Sequence, residues 1–82
     1  MTEQQIQSKR IKQLESKGYY VIKLIKTNKN GIPDLLAIAP EAQVLFSEIK
    51  TPKGKTSELQ KYRLKELKDY GLRSEIYTGE EG

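Results

Sequence analysis

The sequence predicts a single α/β domain, residues 1 to 82, in which helices flank a mixed sheet in the order α-β-β-β-α-β. Three observations predict it. Thr2 with Gln5 and Ser57 with Gln60 have capping-box spacing, and each opens a stretch that a glycine closes, Gly18 or Gly71. The runs between and after these stretches are rich in β-branched, aliphatic and aromatic residues, as strands are. At 82 residues, with no repeat, linker or low-complexity segment, the chain has room for one domain of marginal stability, which a homo-oligomer would extend.

The first helix is expected over 3–17, with a thin apolar edge of Ile6, Ile11 and Leu14. YYVIKLI, residues 19–25, reads as a strand, and the polar TNKNG that follows reads as a turn. IPDLLAIA, 32–39, and VLFSEIK, 44–50, are two further strands joined by residues 40–42. TPKGK, 51–55, is a loop. The second helix carries Leu59, Tyr62, Leu67 and Tyr70 at helical spacing, LRSEIYT, 72–78, is the last strand, and GEEG, 79–82, is a tail.

Composition removes most kinds of chemistry. The chain has no Cys and no His, so a disulfide framework, a thiol nucleophile, an imidazole zinc site and the usual general base are all excluded. What remains is carboxylates, lysines, hydroxyls and a metal that prefers oxygen. Fifteen Lys and Arg against eleven Asp and Glu give a net charge of +4, which suits a phosphate-rich partner and equally an ordinary basic protein. No stretch approaches the ~20 apolar residues that span a bilayer, and MTEQQIQSKR has no apolar run behind its charges. The expectation is a soluble, intracellular, cytoplasmic protein with no membrane partner.

Three charges stand on the most buried-looking segments: Asp34 opens one strand, and Glu48 and Lys50 close the next. Strand alternation puts Phe46, Glu48 and Lys50 on one face and Leu45, Ser47 and Ile49 on the other. If residues 40–42 form a three-residue hairpin loop, Ala39 faces Gln43, and counting back sets Asp34 opposite Glu48. Opposed residues have Cβ atoms roughly 4.5–5.5 Å apart, close enough for two carboxylates to hold one cation, and a slip of one residue destroys the pairing. With oxygen ligands only, Mg²⁺ or Mn²⁺ is the expected ion. Such a cation lowers the pKa of a bound water and stabilises charge on a phosphate, while Lys50 orients the water or offsets developing charge. Each piece alone has a plainer explanation: a Pro-Asp turn for Asp34, and an exposed strand for Glu48 and Lys50. Their conjunction points to phosphodiester hydrolysis.

The ordered set GIPD, SEIK and TPKGKTSELQ resembles the PD-(D/E)xK nuclease superfamily, and most closely its virus-type replication-repair nuclease (VRR-NUC) branch. The likeness runs over nearly the whole chain and implies a restriction-endonuclease-like core. It also implies divalent-metal-dependent cleavage of DNA, often branched or flapped. Small viral members resemble Holliday junction resolvases and act as homodimers, so one setting implied is a phage-encoded protein in the host cytoplasm, with a role in DNA repair. Carried over residue by residue, the resemblance makes Asp34 and Glu48 metal ligands, the backbone carbonyl of Ile49 a further ligand and Lys50 the catalytic lysine. Glu3 matches the family's first-helix acid and Gln60 its glutamine after the core motif. Glu3 equally fits a first-turn acid favoured by the helix dipole, and Gln60 the return half of its capping box.

Among the remaining cations, Lys53 and Lys55 in the loop after Lys50, and Lys29 in TNKNG, are the candidates for DNA phosphates. Lys61, Arg63, Lys65 and Lys68 alternate with acids and read as a solvated helix face. Tyr19 and Tyr20 have rings that can stack on bases, but on a strand they read first as core or dimer-interface residues. GKT at 54–56 is not a P-loop, since Ile49 stands where that motif needs glycine. A non-catalytic nucleic-acid-binding module with the same fold is the alternative function, against which the acids count, because they repel phosphate. An adaptor would need an apolar helix face broader than the one on the first helix.

Overall fold

The structure is a computed structural model that describes residues 1–80; the last two residues of the expected tail, 81 and 82, lie outside the described residues. Its elements are α1 (Glu3–Ser16), β1 (Tyr20–Lys23), β2 (Leu35–Ala39), a 3₁₀ turn (Pro40–Ala42), β3 (Gln43–Ile49), α2 (Glu58–Asp69) and β4 (Arg73–Tyr77). The predicted order is observed.

Both helices begin and end as their sequences dictate. Thr2 Oγ1 accepts from the Gln5 amide at 3.1 Å while Gln5 Oε1 accepts from the Thr2 amide at 2.8 Å, and Ser57 and Gln60 do the same at 3.1 and 2.9 Å. At the far ends, Gly18 and Gly71 take φ of +90° and +84°. Each is followed by a residue whose amide reaches back to the third-last helical carbonyl, Tyr19 to Leu14 at 3.0 Å and Leu72 to Leu67 at 3.1 Å. Four amides at the helix starts and two carbonyls at the helix ends are thereby satisfied.

The sheet order is β1-β2-β3-β4, antiparallel except for the parallel β3–β4 pair that α2 connects. The hairpin register is the predicted one: Ala39 pairs with Gln43 and Leu35 with Ser47. Three residues close that hairpin because Glu41 and Ala42 both adopt left-handed backbone, φ 69° and 61°.

One face of the sheet carries the core. Ile6, Leu35, Ile49 and Tyr77 form one buried cluster, Leu14, Ala37 and Leu45 a second, and Val21 bridges the two. Ile11 packs at the margin of the first and Tyr19 of the second. Every buried leucine or isoleucine contributes about 1.5–3 kcal/mol, so α1 is held chiefly by Ile6 and Leu14. Polar groups cross the same interface: Arg10 makes a two-toothed pair with Glu75 at 2.8 and 2.9 Å, and the fully buried Ser47 donates to Glu75 at 2.6 Å.

Four expectations need correction. β1 stops at Lys23 rather than residue 25, because Ile25 turns into solvent and the polar loop begins there. β2 starts at Leu35 rather than 32, because Pro33 has no amide to give a ladder. Next, β3 runs one residue earlier, over 43–49, although the Lys50 amide still donates to the Tyr77 carbonyl at 3.0 Å. Finally, α2 does not bury the stripe of Leu59, Tyr62, Leu67 and Tyr70: Leu64 is its buried residue, at 8% exposure, while Tyr70 is 81% exposed. The reason is that α2 packs along β4, where Ser74 Oγ donates to the Leu64 carbonyl at 3.2 Å. Lys61–Glu58 and Lys65–Asp69 form a solvated face as expected, whereas Arg63, 17% exposed and paired with Glu66, turns toward the loop and donates to the Asn30 carbonyl. No described helix is long and apolar enough to cross a membrane.

Candidate metal and catalytic centre

The hairpin register puts Asp34, one residue before β2, opposite Glu48 on β3. Pro33, buried and fixed in φ, sets the backbone that enters Asp34. Asp34 Oδ2 accepts from the Ile49 amide at 2.8 Å, which ties the acid across the strands to the residue between Glu48 and Lys50. A charge-assisted bond of this kind fixes a carboxylate more firmly than a neutral one does.

Glu48 is only 2% exposed, an uncommon state for a carboxylate. Its Oε2 accepts from Gln60 Nε2 at 3.2 Å and lies 3.7 Å from Lys50 Nζ. Its Oε1 is buried with no donor. Asp34, the acid opposite, acts on it by charge and is itself an acceptor, so one proton or one cation must reconcile the two. Burial first, then the Asp34 charge, push the Glu48 carboxyl up from 4.5 to about 7, with a smaller push from Glu3 and an opposing pull from Lys50.

Gln60 is oriented without ambiguity. Its Oε1 is committed to the Ser57 amide at 2.9 Å, an obligate donor, so Nε2 must face Glu48. The same amide thus closes its capping box and contacts Glu48.

Glu3 lines, with Gln4, Gln7, Asp34 and Ile49, a pocket of about 340 Å³ at the N-terminal end of α1. It acts on Glu48 by charge and contacts neither acid by a hydrogen bond. Among the described residues no group of three or more His, Cys, Asp and Glu forms a ready metal cluster. Lys53 and Lys55 are exposed on the loop between β3 and α2, and Lys29 lies exposed on the loop between β1 and β2; none is bonded to the acids. The structure thus brings together Asp34, Glu48, Ile49, Lys50 and Gln60, sets Glu3 at the wall of the pocket, and leaves the three loop lysines out of contact with them.

Sequence reasoning missed the Arg10–Glu75–Ser47 network behind the site, where Arg10 also stacks 4.6 Å from the centroid of the Tyr77 ring. The signal available was Ser47 and Glu75 on the core-facing parity of β3 and β4, polar residues where apolar ones are the rule.

A cation fits this donor set. Mg²⁺ is commonly held by one or two carboxylates with waters completing its shell, so two acids and a carbonyl suffice without a third acidic ligand. The orphaned Glu48 oxygen is the local sign of that demand.

The family model described as the VRR-NUC domain matches residues 1–81. A solved structure titled VRR_NUC domain superposes with a TM-score of 0.83 at 26% identity, over 93% of this chain and 83% of that one. No curated protein matches the chain.

Proposed function

This chain belongs to the VRR-NUC domain family of nuclease-type domains, and from that premise we propose that it is a Mg²⁺- or Mn²⁺-dependent endodeoxyribonuclease that prefers branched or flapped DNA, as a Holliday junction resolvase or flap nuclease does. The observation that carries this reading is the Asp34–Glu48 pair, in which a buried carboxylate oxygen has no donor beside a second acid.

Asp34, Glu48 and the carbonyl of Ile49 would hold the cation, with Glu3 completing the acid set from the pocket wall. When bound, the cation supplies a water of lowered pKa and positive charge at the scissile phosphate. Asp34 is fixed through Oδ2 by the Ile49 amide, which leaves Oδ1 to ligate the cation. Gln60 holds Glu48 Oε2 and leaves Oε1 unengaged. Lys50, anchored near Glu48, presents its ammonium to the attacking water or to the phosphate oxygen that gains charge. The new bond is from water oxygen to phosphorus, the bond broken is from phosphorus to the leaving sugar oxygen, the attacking water gives one proton to solvent, and the leaving oxygen takes one from solvent. Lys53, Lys55 and Lys29 would take neighbouring phosphates.

Paired cuts across a symmetric branch call for two sites, so the active form proposed is a two-fold homodimer. The test is cleavage of labelled four-way junction, flap and linear duplex with Mg²⁺, with Mn²⁺ and with chelator, by the wild type and Lys50→Ala. Metal-dependent cutting lost in the variant supports the reading; no cutting of any substrate, with DNA binding retained, replaces it with the non-catalytic binding module.

A further inference from the structure

The loop between β1 and β2 runs beside the acids, because the Leu24 amide donates to the Asp34 carbonyl at 2.8 Å. Next to it stands Ile25, at 90% exposure the barest large apolar side chain among the described residues. Lys23, the last residue of β1, and Lys26 and Lys29 in the loop lie within four residues of it in the chain, all exposed, and no acid occurs between Lys23 and Pro33. None of these three lysines pairs with a carboxylate among the described residues, whereas Lys61, Arg63 and Lys65 on α2 are all paired within their helix.

The loop is also braced. Thr27 Oγ1 donates to the Lys29 carbonyl at 2.6 Å, and Arg63 Nε of α2 donates to the Asn30 carbonyl at 2.9 Å. Gly31, at φ +79°, lies so close to α2 that a Cβ there would stand 2.7 Å from Leu59 Cγ. An apolar side chain in water, flanked in the chain by cations that pair with no described acid, matches what a polyanion with apolar base faces would cover.

We infer that this loop is a wedge for DNA: Lys23, Lys26 and Lys29 take backbone phosphates while Ile25 enters the base stack where pairing is already interrupted. Apolar wedges that unstack bases do so most cheaply at such places. The loop, rather than the acids, then sets the preference for branched over linear DNA. This rests on the proposed nuclease reading for its substrate.

The test uses the full chain in chelator, with 2-aminopurine at the branch point of a four-way junction. Wild type should raise its fluorescence. Ile25→Ser, a change in open solvent that leaves the core untouched, should lose most of that rise and lower the ratio of junction to duplex affinity by about tenfold. Replacing all three lysines by alanine should weaken binding to both DNAs alike and flatten the dependence of log affinity on log salt by about 3. Wild-type fluorescence and ratio in Ile25→Ser would overturn the wedge, as would a change in its sedimentation, which would make Ile25 a contact between protein copies. Cleavage by wild type with an unaltered Ile25→Ser ratio removes the wedge alone; a fluorescence rise without cleavage in any metal removes the nuclease reading alone.

Discussion

The Gln60 side chain donates to Glu48 at 3.2 Å while its carbonyl oxygen closes the capping box of α2 at 2.9 Å. One amide therefore starts a helix and positions a buried acid. The parallel β3–β4 connection through α2 makes this possible, since it brings the helix N-terminus back over the end of β3.

That double use separates two substitutions. Gln60→Ala should cost about 1 kcal/mol in stability through the cap and also lower cleavage. Gln60→Glu keeps a capping-box acceptor but sets a third acid beside Glu48, so cleavage should fall by about tenfold or more while helix content by circular dichroism stays at the wild-type level. Equal stability loss in both variants, with equal activity, would mean that the bond to Glu48 does nothing for cleavage.

Asp34→Ala and Lys50→Ala should each lower cleavage by about 10³-fold or more with the fold intact, because each removes charge aimed at the reacting phosphate or its cation. Asp34→Ala should also tighten DNA binding in chelator by removing a negative charge next to phosphates. Single-turnover cleavage and a chelator-phase binding titration read the two effects; unfolding of either variant would make that residue structural instead.

The Glu48 carboxyl sits at about 7 in the fold against 4.5 as a free side chain, so the native state holds its proton more tightly than the unfolded chain does. Its contribution to stability is whole below about pH 4.5 and is lost as pH rises through about 7. In chelator, urea unfolding should show wild type losing up to about 2 kcal/mol more than Glu48→Gln between pH 5.5 and pH 8. Added Mg²⁺ should restore the wild type at pH 8 and leave the variant unmoved.

Leu64 and Tyr70 give the packing of α2 a direct check. Leu64→Ala should cost about 2 kcal/mol or more, and Tyr70→Ala within about 0.5 kcal/mol, measured as urea midpoints at constant slope.

Local rules made most of this architecture legible. The two capping boxes, their terminating glycines and the three-residue hairpin count located both helices and set Asp34 opposite Glu48. The apolar face of α2 was not legible, since Leu59, Tyr62 and Tyr70 have helical spacing yet only tertiary packing decides that Leu64 is the one covered. Nor was the burial of Glu48 readable from its spacing, since the Gln60 side chain that reaches one of its oxygens comes from α2, 12 residues on. The Arg10–Glu75 pair joins residues 65 apart in the chain, beyond the reach of any local pattern.

Mn²⁺ titration followed by electron paramagnetic resonance of the free ion reads whether Asp34 and Glu48 together hold a divalent cation. Wild type should bind Mn²⁺ at one site per chain, and Asp34→Ala and Glu48→Gln should each weaken that binding by tenfold or more. Undiminished Mn²⁺ binding in both variants would contradict the account and leave the buried acid pair without its cation.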